Sequence, residues 1–278
     1  LVIVSIKCNI SVFQEFKVDG DLDLRIGNIE FFGDVEVTGN VLAGFKIIAE
    51  GNVFVRGSVE GAVIHAGRSI VINGSYSGGE KGELKASEDA YLSHVNSGTI
   101  RTNRHLFVKR ELVNATSYVK GNLYMGSRSS AIIGGKTYVS GEMNVYTLGS
   151  PLEVHTFISL GPQEFAKQDL QELKITLKEL EQRLELAQTG LNKIEDDEES
   201  GHLTVENRKQ IGSHLKASLR RLNEKKSDLI RRKLILEETL VNNHTSFLRV
   251  ARRVNSGVRL KIGKATVRIE TSKDKVEF

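Results

Sequence analysis

The chain has 278 residues, a net charge of +4, and 39% hydrophobic against 27% charged residues, enough to bury a sizeable core in two modules. No apolar run approaches the roughly 20 residues of a membrane span, and Leu1-Val-Ile-Val lacks the basic flank and cleavage pattern of a signal peptide. The single cysteine, Cys8, excludes an internal disulfide framework and a cysteine zinc site and fits a reducing, cytoplasmic setting, while 26 Gly against 2 Pro suits many tight turns between short strands.

Residues 1–26 read as an N-terminal strand segment, the remnant of a truncated upstream region, because the chain starts at Leu. From 27 to 161 the sequence repeats itself. Phe31, Ala49, Ala66, Ala86, Thr102, Val119 and Val139 follow one another at gaps of 18, 17, 20, 16, 17 and 20 residues. Two positions earlier stand Ile29, Ile47, Ile64, Leu84, Ile100, Ser117 and Thr137. Four and six positions later stand two more columns, Val35 to Met143 and Val37 to Val145. None of these 28 positions is charged, which 27% charged composition would rarely give by chance. Turn pairs such as Gly33-Asp34, Gly51-Asn52 and Gly121-Asn122 separate them.

A coil of about 18 residues cannot bury its apolar side alone, so the coils must stack about 4.8 Å apart around a continuous internal column. The variable gap and the period of two favour a right-handed parallel β-helix over a left-handed hexapeptide solenoid. About seven coils would stand about 30 Å tall.

Between the last two columns, one outward position per coil reads Glu36, Phe54, Val71, Tyr91, Phe107, Tyr124, Asn144. Rings at adjacent levels stack favourably, so a self-stabilising ladder is the plainer reading, as is coverage by other parts of the chain. The sharper reading is a face for a partner or a second copy, made by Phe54, Val71, Tyr91, Phe107 and Tyr124.

After Gly161-Pro162 glycine nearly vanishes, and Ala166, Leu170, Leu173, Leu177, Leu180, Leu184, Ala187, Leu191 and Ile194 recur in steps of three and four. Glu195, Asp196, Asp197, Glu198 and Glu199 read as a solvated turn. A second helical run carries Leu215, Leu219, Leu222, Leu229, Leu236 and Leu240, with Lys226 and Lys233 at intervening seam positions. An acidic first helix and a basic second one support an antiparallel coiled-coil hairpin over 162–245. The acidic turn could also dock a basic surface.

Strand alternation returns over 246–278, where Val258, Leu260 and Ile262 interleave with Arg259 and Lys261. This segment is expected to pack back on the β-helix and cap an open edge. Its Arg252, Arg253, Arg259 and Lys261, with Arg249, Lys264 and Arg268, form the best charged docking candidate. Without interleaved aromatics, that cluster offers little for base stacking, so nucleic acid is only a third choice of partner. The fold class is therefore mainly β with an α-helical hairpin.

Nothing in the chain argues for chemistry. Gly135-Lys136-Thr137 suggests a phosphate-binding loop, yet Ser130 stands where that loop needs glycine, and Tyr138-Val-Ser continues as strand. The histidines at 65, 94, 105, 155, 202, 214 and 244 lack metal-ligand spacing. Glu60, Glu80, Glu83, Glu88 and Asp89 lie on turns, but no Trp supplies the platform of a polysaccharide-cleaving β-helix. No catalytic residue, cofactor or metal is expected.

The run Gly27-Asn-Ile-Glu-Phe-Phe-Gly-Asp-Val-Glu-Val-Thr-Gly39 resembles the bacterial flagellar assembly protein A family. Ala49-Glu-Gly-Asn-Val-Phe-Val-Arg-Gly57, Ile132-Ile-Gly-Gly135, Leu148-Gly-Ser150, the acidic-tipped hairpin and Gly-Val-Arg-Leu-Lys-Ile-Gly at 257–263 carry the same resemblance. It departs at Ser87 and Asn103, which replace turn glycines, and at Asn255-Ser-Gly257, which lacks a proline. The solenoid is also similar to the C-terminal domain of the cell-division inhibitor MinC. The resemblance implies a non-catalytic cytoplasmic scaffold for flagellar assembly at the cell pole. Its expected partners are proteins of the flagellar or polar machinery, a cytosolic regulatory protein among them, or a second copy of the chain. A division-regulating, polymer-binding module is the alternative.

Overall fold

The computed structural model describes residues 15–196, 205–241 and 246–277. Two compact units divide the chain, Leu1–Pro162 with Thr245–Phe278 and Gln163–His244. The first is a β-solenoid of about eight turns.

Three parallel walls build it. In the first, Ile29, Ile47, Ile64, Leu84, Ile100, Ser117 and Thr137 are partners rung by rung, continuing through Ile158 to Leu260. In the second, Val35, Val53, Ile70, Ala90, Leu106, Leu123 and Met143 pair in the same way and continue to Leu248. The register is thus the column alignment of the sequence. A slip of one residue would turn every apolar side chain outward.

The third wall was not apparent from the repeat. Leu22, Val41, Val59, Tyr76, Val95, Leu112, Ile132, Leu148 and Val254 stack along it, each 0% exposed. Three walls close the cross-section, so every coil leaves no lateral strand edge open. Further levels lie outside the seven coils expected. Glu15–Val18 pairs in parallel with Asp34–Val37 before them, and Leu248–Val254 and Val258–Ile262 continue the ladders after them. Only then does the stack close. Ala265–Arg268 runs antiparallel to Val258–Ile262, and Lys273–Glu277 antiparallel to Leu248–Val254.

The corners hold the coils in register through side chains. Between walls one and two, Asn52 donates its backbone N–H to Asp34 Oδ1 at 2.6 Å, and Ser69 donates to Asn52 Oδ1 at 3.1 Å. Two levels on, His105 donates to Asp89 Oδ1 at 2.9 Å, Asn122 to His105 Nδ1 at 3.1 Å, and Glu142 to Asn122 Oδ1 at 2.9 Å. Each corner side chain satisfies an N–H that the strands leave free. Coils approach so closely here that a Cβ on Gly51 would strike the Gly33 carbonyl and the Asp34 carboxylate. Close contact requires that glycine.

One interior group stands out. Tyr76 is fully buried on the third wall, and its hydroxyl has no hydrogen-bond partner among the described residues. Gly78 and Gly98 leave room for it, since a Cβ on either would meet the phenol oxygen. Burial pushes the Tyr76 phenol above its ordinary range, and the nearby Glu83 charge adds to the effect.

The second unit is an antiparallel helical hairpin of α1 (Gln163–Asp196) and α2 (Val205–Val241). Glu181 meets Lys226 at 2.9 Å and Gly190 lies beside Leu215, so residue numbers fall along one helix as they rise along the other. Leu173, Leu180 and Leu191 are buried. On α2, Leu215, Leu219, Leu222, Lys226, Leu229, Lys233, Leu236 and Leu240 are half-buried, the heptad seam of the sequence. In the chain the hairpin replaces one corner. Three residues separate Val139 from Met143 across an ordinary corner, whereas their ladder partners Leu160 and Leu248 flank residues 161–247.

Candidate functional site

Alternation along the second wall sends one side chain per coil outward, and parallel register sets these side chains one above another. Glu36 pairs with Phe54, Phe54 with Val71, Val71 with Tyr91, Tyr91 with Phe107, and Phe107 with Tyr124. All five candidate residues therefore stand in one column. Tyr91 and Phe107 stack with centroids 4.7 Å apart and planes 1° from parallel; Phe107 and Tyr124 follow at 5.3 Å and 21°. His105 places its ring 5.9 Å from Tyr124, and Asn122 Nδ2 donates to the Tyr124 hydroxyl at 2.7 Å.

Val71, Tyr91, Phe107 and Tyr124 of this column line a shallow groove of about 490 Å³ with Asn73, Ser93 and Lys109 at its sides, and Phe54 stands beyond it. Phe54 is 37% and Tyr91 42% exposed, while Val71, Phe107 and Tyr124 are half-buried. The two ends are polar. Glu36 accepts from Arg56 Nε at 2.7 Å, and Asn144 pairs with Arg249. The C-terminal strands do not lie over the groove; they extend and close the ladders.

The first wall carries a second aromatic column that the sequence reading missed. Tyr118 and Tyr138 stack at 5.0 Å and 4°, Phe157 leans on Tyr138 at 5.8 Å, and the Arg101 guanidinium sits 4.2 Å above the Tyr118 ring. The signal was there. The residue between the paired columns of this wall reads Glu30, Ile48, His65, Lys85, Arg101, Tyr118, Tyr138.

Of the carboxylates expected on turns, Glu60, Glu80 and Glu83 lie on the strands Val59–Glu60 and Ile70–Ala86, and only Glu88 and Asp89 lie between strands. Asp89 is buried and accepts from the His105 backbone and from Arg104 Nη2 at 2.7 Å; Glu83 holds Arg101 Nε at 3.1 Å. Among the described residues, no group of three or more His, Cys, Asp or Glu is placed to hold a metal ion. No described helix is long and apolar enough to cross a membrane.

The basic C-terminal cluster divides in two. Arg249 and Arg253 are paired with Glu277 at 2.7 Å and Asp274 at 3.8 Å, both from the closing strand. Arg259 lies with Arg268, Lys136 and His155 around a separate hollow of about 290 Å³. Arg252 is exposed, and Lys261 lies on the strand of Arg259. Of the acidic turn, Glu195 and Asp196 end α1, whereas Asp197, Glu198 and Glu199 lie outside the described residues, as does Cys8.

A family model described as Flagellar Assembly Protein A beta solenoid domain matches residues 14–278. The chain belongs to this family. The match spans the whole described region of this FapA protein, both aromatic columns and the helical hairpin included. Comparison with curated proteins and with solved structures returned no match. Family membership ties the chain to flagellar assembly.

Proposed function

We propose that this chain is a non-catalytic cytoplasmic scaffold or regulator of flagellar assembly and polar placement, acting by protein–protein contacts. The observation that carries this reading is the outward column from Phe54 to Tyr124, whose stacked rings line an open groove. Aromatic side chains on a rigid sheet bury large apolar area at little cost in side-chain entropy, which suits a recognition surface. The occupant is an apolar segment of a partner protein from the flagellar machinery. Family membership supports the flagellar setting.

The test is the double variant Tyr91→Lys with Phe107→Lys. Both side chains are outward, so the solenoid should keep its circular-dichroism spectrum. Partner capture from native extract of a flagellated cell should be lost, and cross-linking with mass spectrometry on the parent chain identifies what was captured. Pull-down and light-scattering profiles identical to those of the parent would reject the proposal. Loss confined to self-association in light scattering would reassign the groove to a second copy.

A further inference from the structure

The geometry points to a binding site for a small phosphate-bearing ligand on the first wall, formed by Lys136, Arg259 and Arg268 around Phe157. Along this wall Lys136 pairs with Phe157, Phe157 with Arg259, and Arg259 with Arg268 across the closing antiparallel turn. All four line the same hollow of about 290 Å³, with His155 also among its walls. The three cations thus converge on one space from neighbouring strands.

Stability does not account for this arrangement. Strands sit about 4.8 Å apart, so Arg259 and Arg268 lie well within the roughly 8 Å screening length of physiological salt. Like charges directly opposite each other in a sheet destabilise it, whereas opposite charges stabilise it. The neighbouring ladder at the same end of the stack follows the favourable rule, for its closing strand brings Glu277 to Arg249 and Asp274 to Arg253. The strand Ala265–Arg268 brings another arginine instead. Among the described residues, Lys136, Arg259 and Arg268 make no ion pair. An anion between them would turn repulsion into attraction.

The chemistry of the lining selects the anion. Two guanidinium groups offer planar forks that match phosphate oxygens in pairs, and the Lys136 ammonium adds a point charge. Phe157 is half-buried and forms the apolar part of the lining. Gly135 and Gly257, both at positive φ, border the hollow and let a ligand approach the backbone. The volume stands at the lower end of small-molecule sites, which fits a compact phosphate ester and leaves little room for a polymer. Lys136 belongs to the Gly-Lys-Thr run that fails as a phosphate-binding loop, since Gly135–Val139 is a strand. Its outward lysine reaches the site by a different route.

The test is calorimetric titration of the whole chain with inorganic pyrophosphate at about 0.15 M salt, with sulfate as the second anion. Saturable pyrophosphate binding is expected, weakened by roughly tenfold or more in Arg268→Glu. The same variant should melt at a higher temperature than the parent, because it replaces a like-charge pair with an opposite-charge pair. Arg110→Glu, on a distant coil, should keep the parent's affinity. The proposal is overturned if the parent shows no saturable binding, if sulfate binds as tightly as pyrophosphate, or if Arg110→Glu weakens binding as much as Arg268→Glu. The aromatic groove is on another wall, so failure here leaves the partner-binding reading untouched.

Discussion

Tyr76→Phe should stabilise the solenoid. The substitution keeps the ring, which is fully buried, and removes a hydroxyl that finds no partner among the described residues. A buried hydroxyl without a hydrogen bond costs about 1–3 kcal/mol relative to water. Against this stands the small void left between Gly78 and Gly98, worth a few tenths of a kcal/mol at about 24 cal/mol per Å³. The net gain is about 1 kcal/mol, or a melting temperature about 2–4 °C higher for a unit of this size. The pH dependence adds a second, independent reading. An unfolded phenol ionises near 10.0, whereas burial holds the folded Tyr76 proton to higher pH. The unfolded chain therefore releases its proton first. The contribution of Tyr76 is complete below pH 10 and is lost as pH rises toward the folded value, by up to about 1.4 kcal/mol per pH unit. Thermal melts at pH 7 and pH 11 should show the gap between Tyr76→Phe and the parent widening at the higher pH. A variant no more stable than the parent at pH 7, with a gap that does not grow, would mean the hydroxyl is satisfied and the argument is wrong.

Other outcomes follow from the corners and the hairpin. Gly51→Ala forces a methyl group into the Gly33 carbonyl and should cost about 2 kcal/mol in urea unfolding, although Gly51 is not at positive φ. His105→Ala removes the acceptor of the Asn122 N–H and should cost about 1 kcal/mol, while His105→Asn, which restores an acceptor, should cost measurably less. Replacing residues 161–247 with a three-residue Ser-Gly-Asn turn should leave the solenoid's strand signal and melting intact while removing the helical signal at 222 nm. Loss of the strand signal in that variant would show that the hairpin is needed for the stack to form.

The first two walls were legible because each coil contributes paired inward residues at a fixed offset, so the register repeats even when the coil length does not. The third wall gives few such pairs. Its inward residue follows Val55 by four positions at Val59 but follows Met125 by seven at Ile132, so no constant spacing marks it. The first column of rings could be seen because Tyr91, Phe107 and Tyr124 share an offset from the inward residues. Tyr118 and Tyr138 share one as well and were open to the same comparison. The convergence of Lys136, Arg259 and Arg268 was not open to it. Arg259 and Arg268 meet only through the reversal at Gly263, and Lys136 is placed two rungs from Arg259 only once the strands after residues 161–247 are known to resume the ladders.

The antiparallel closure gives the stack a direction. An identical coil arriving at this end would face strands of reversed polarity bearing Arg268, Lys273 and Lys275, all exposed, and could not continue the parallel hydrogen-bond pattern. Addition of a further parallel coil is therefore blocked where these antiparallel strands cover the ladders.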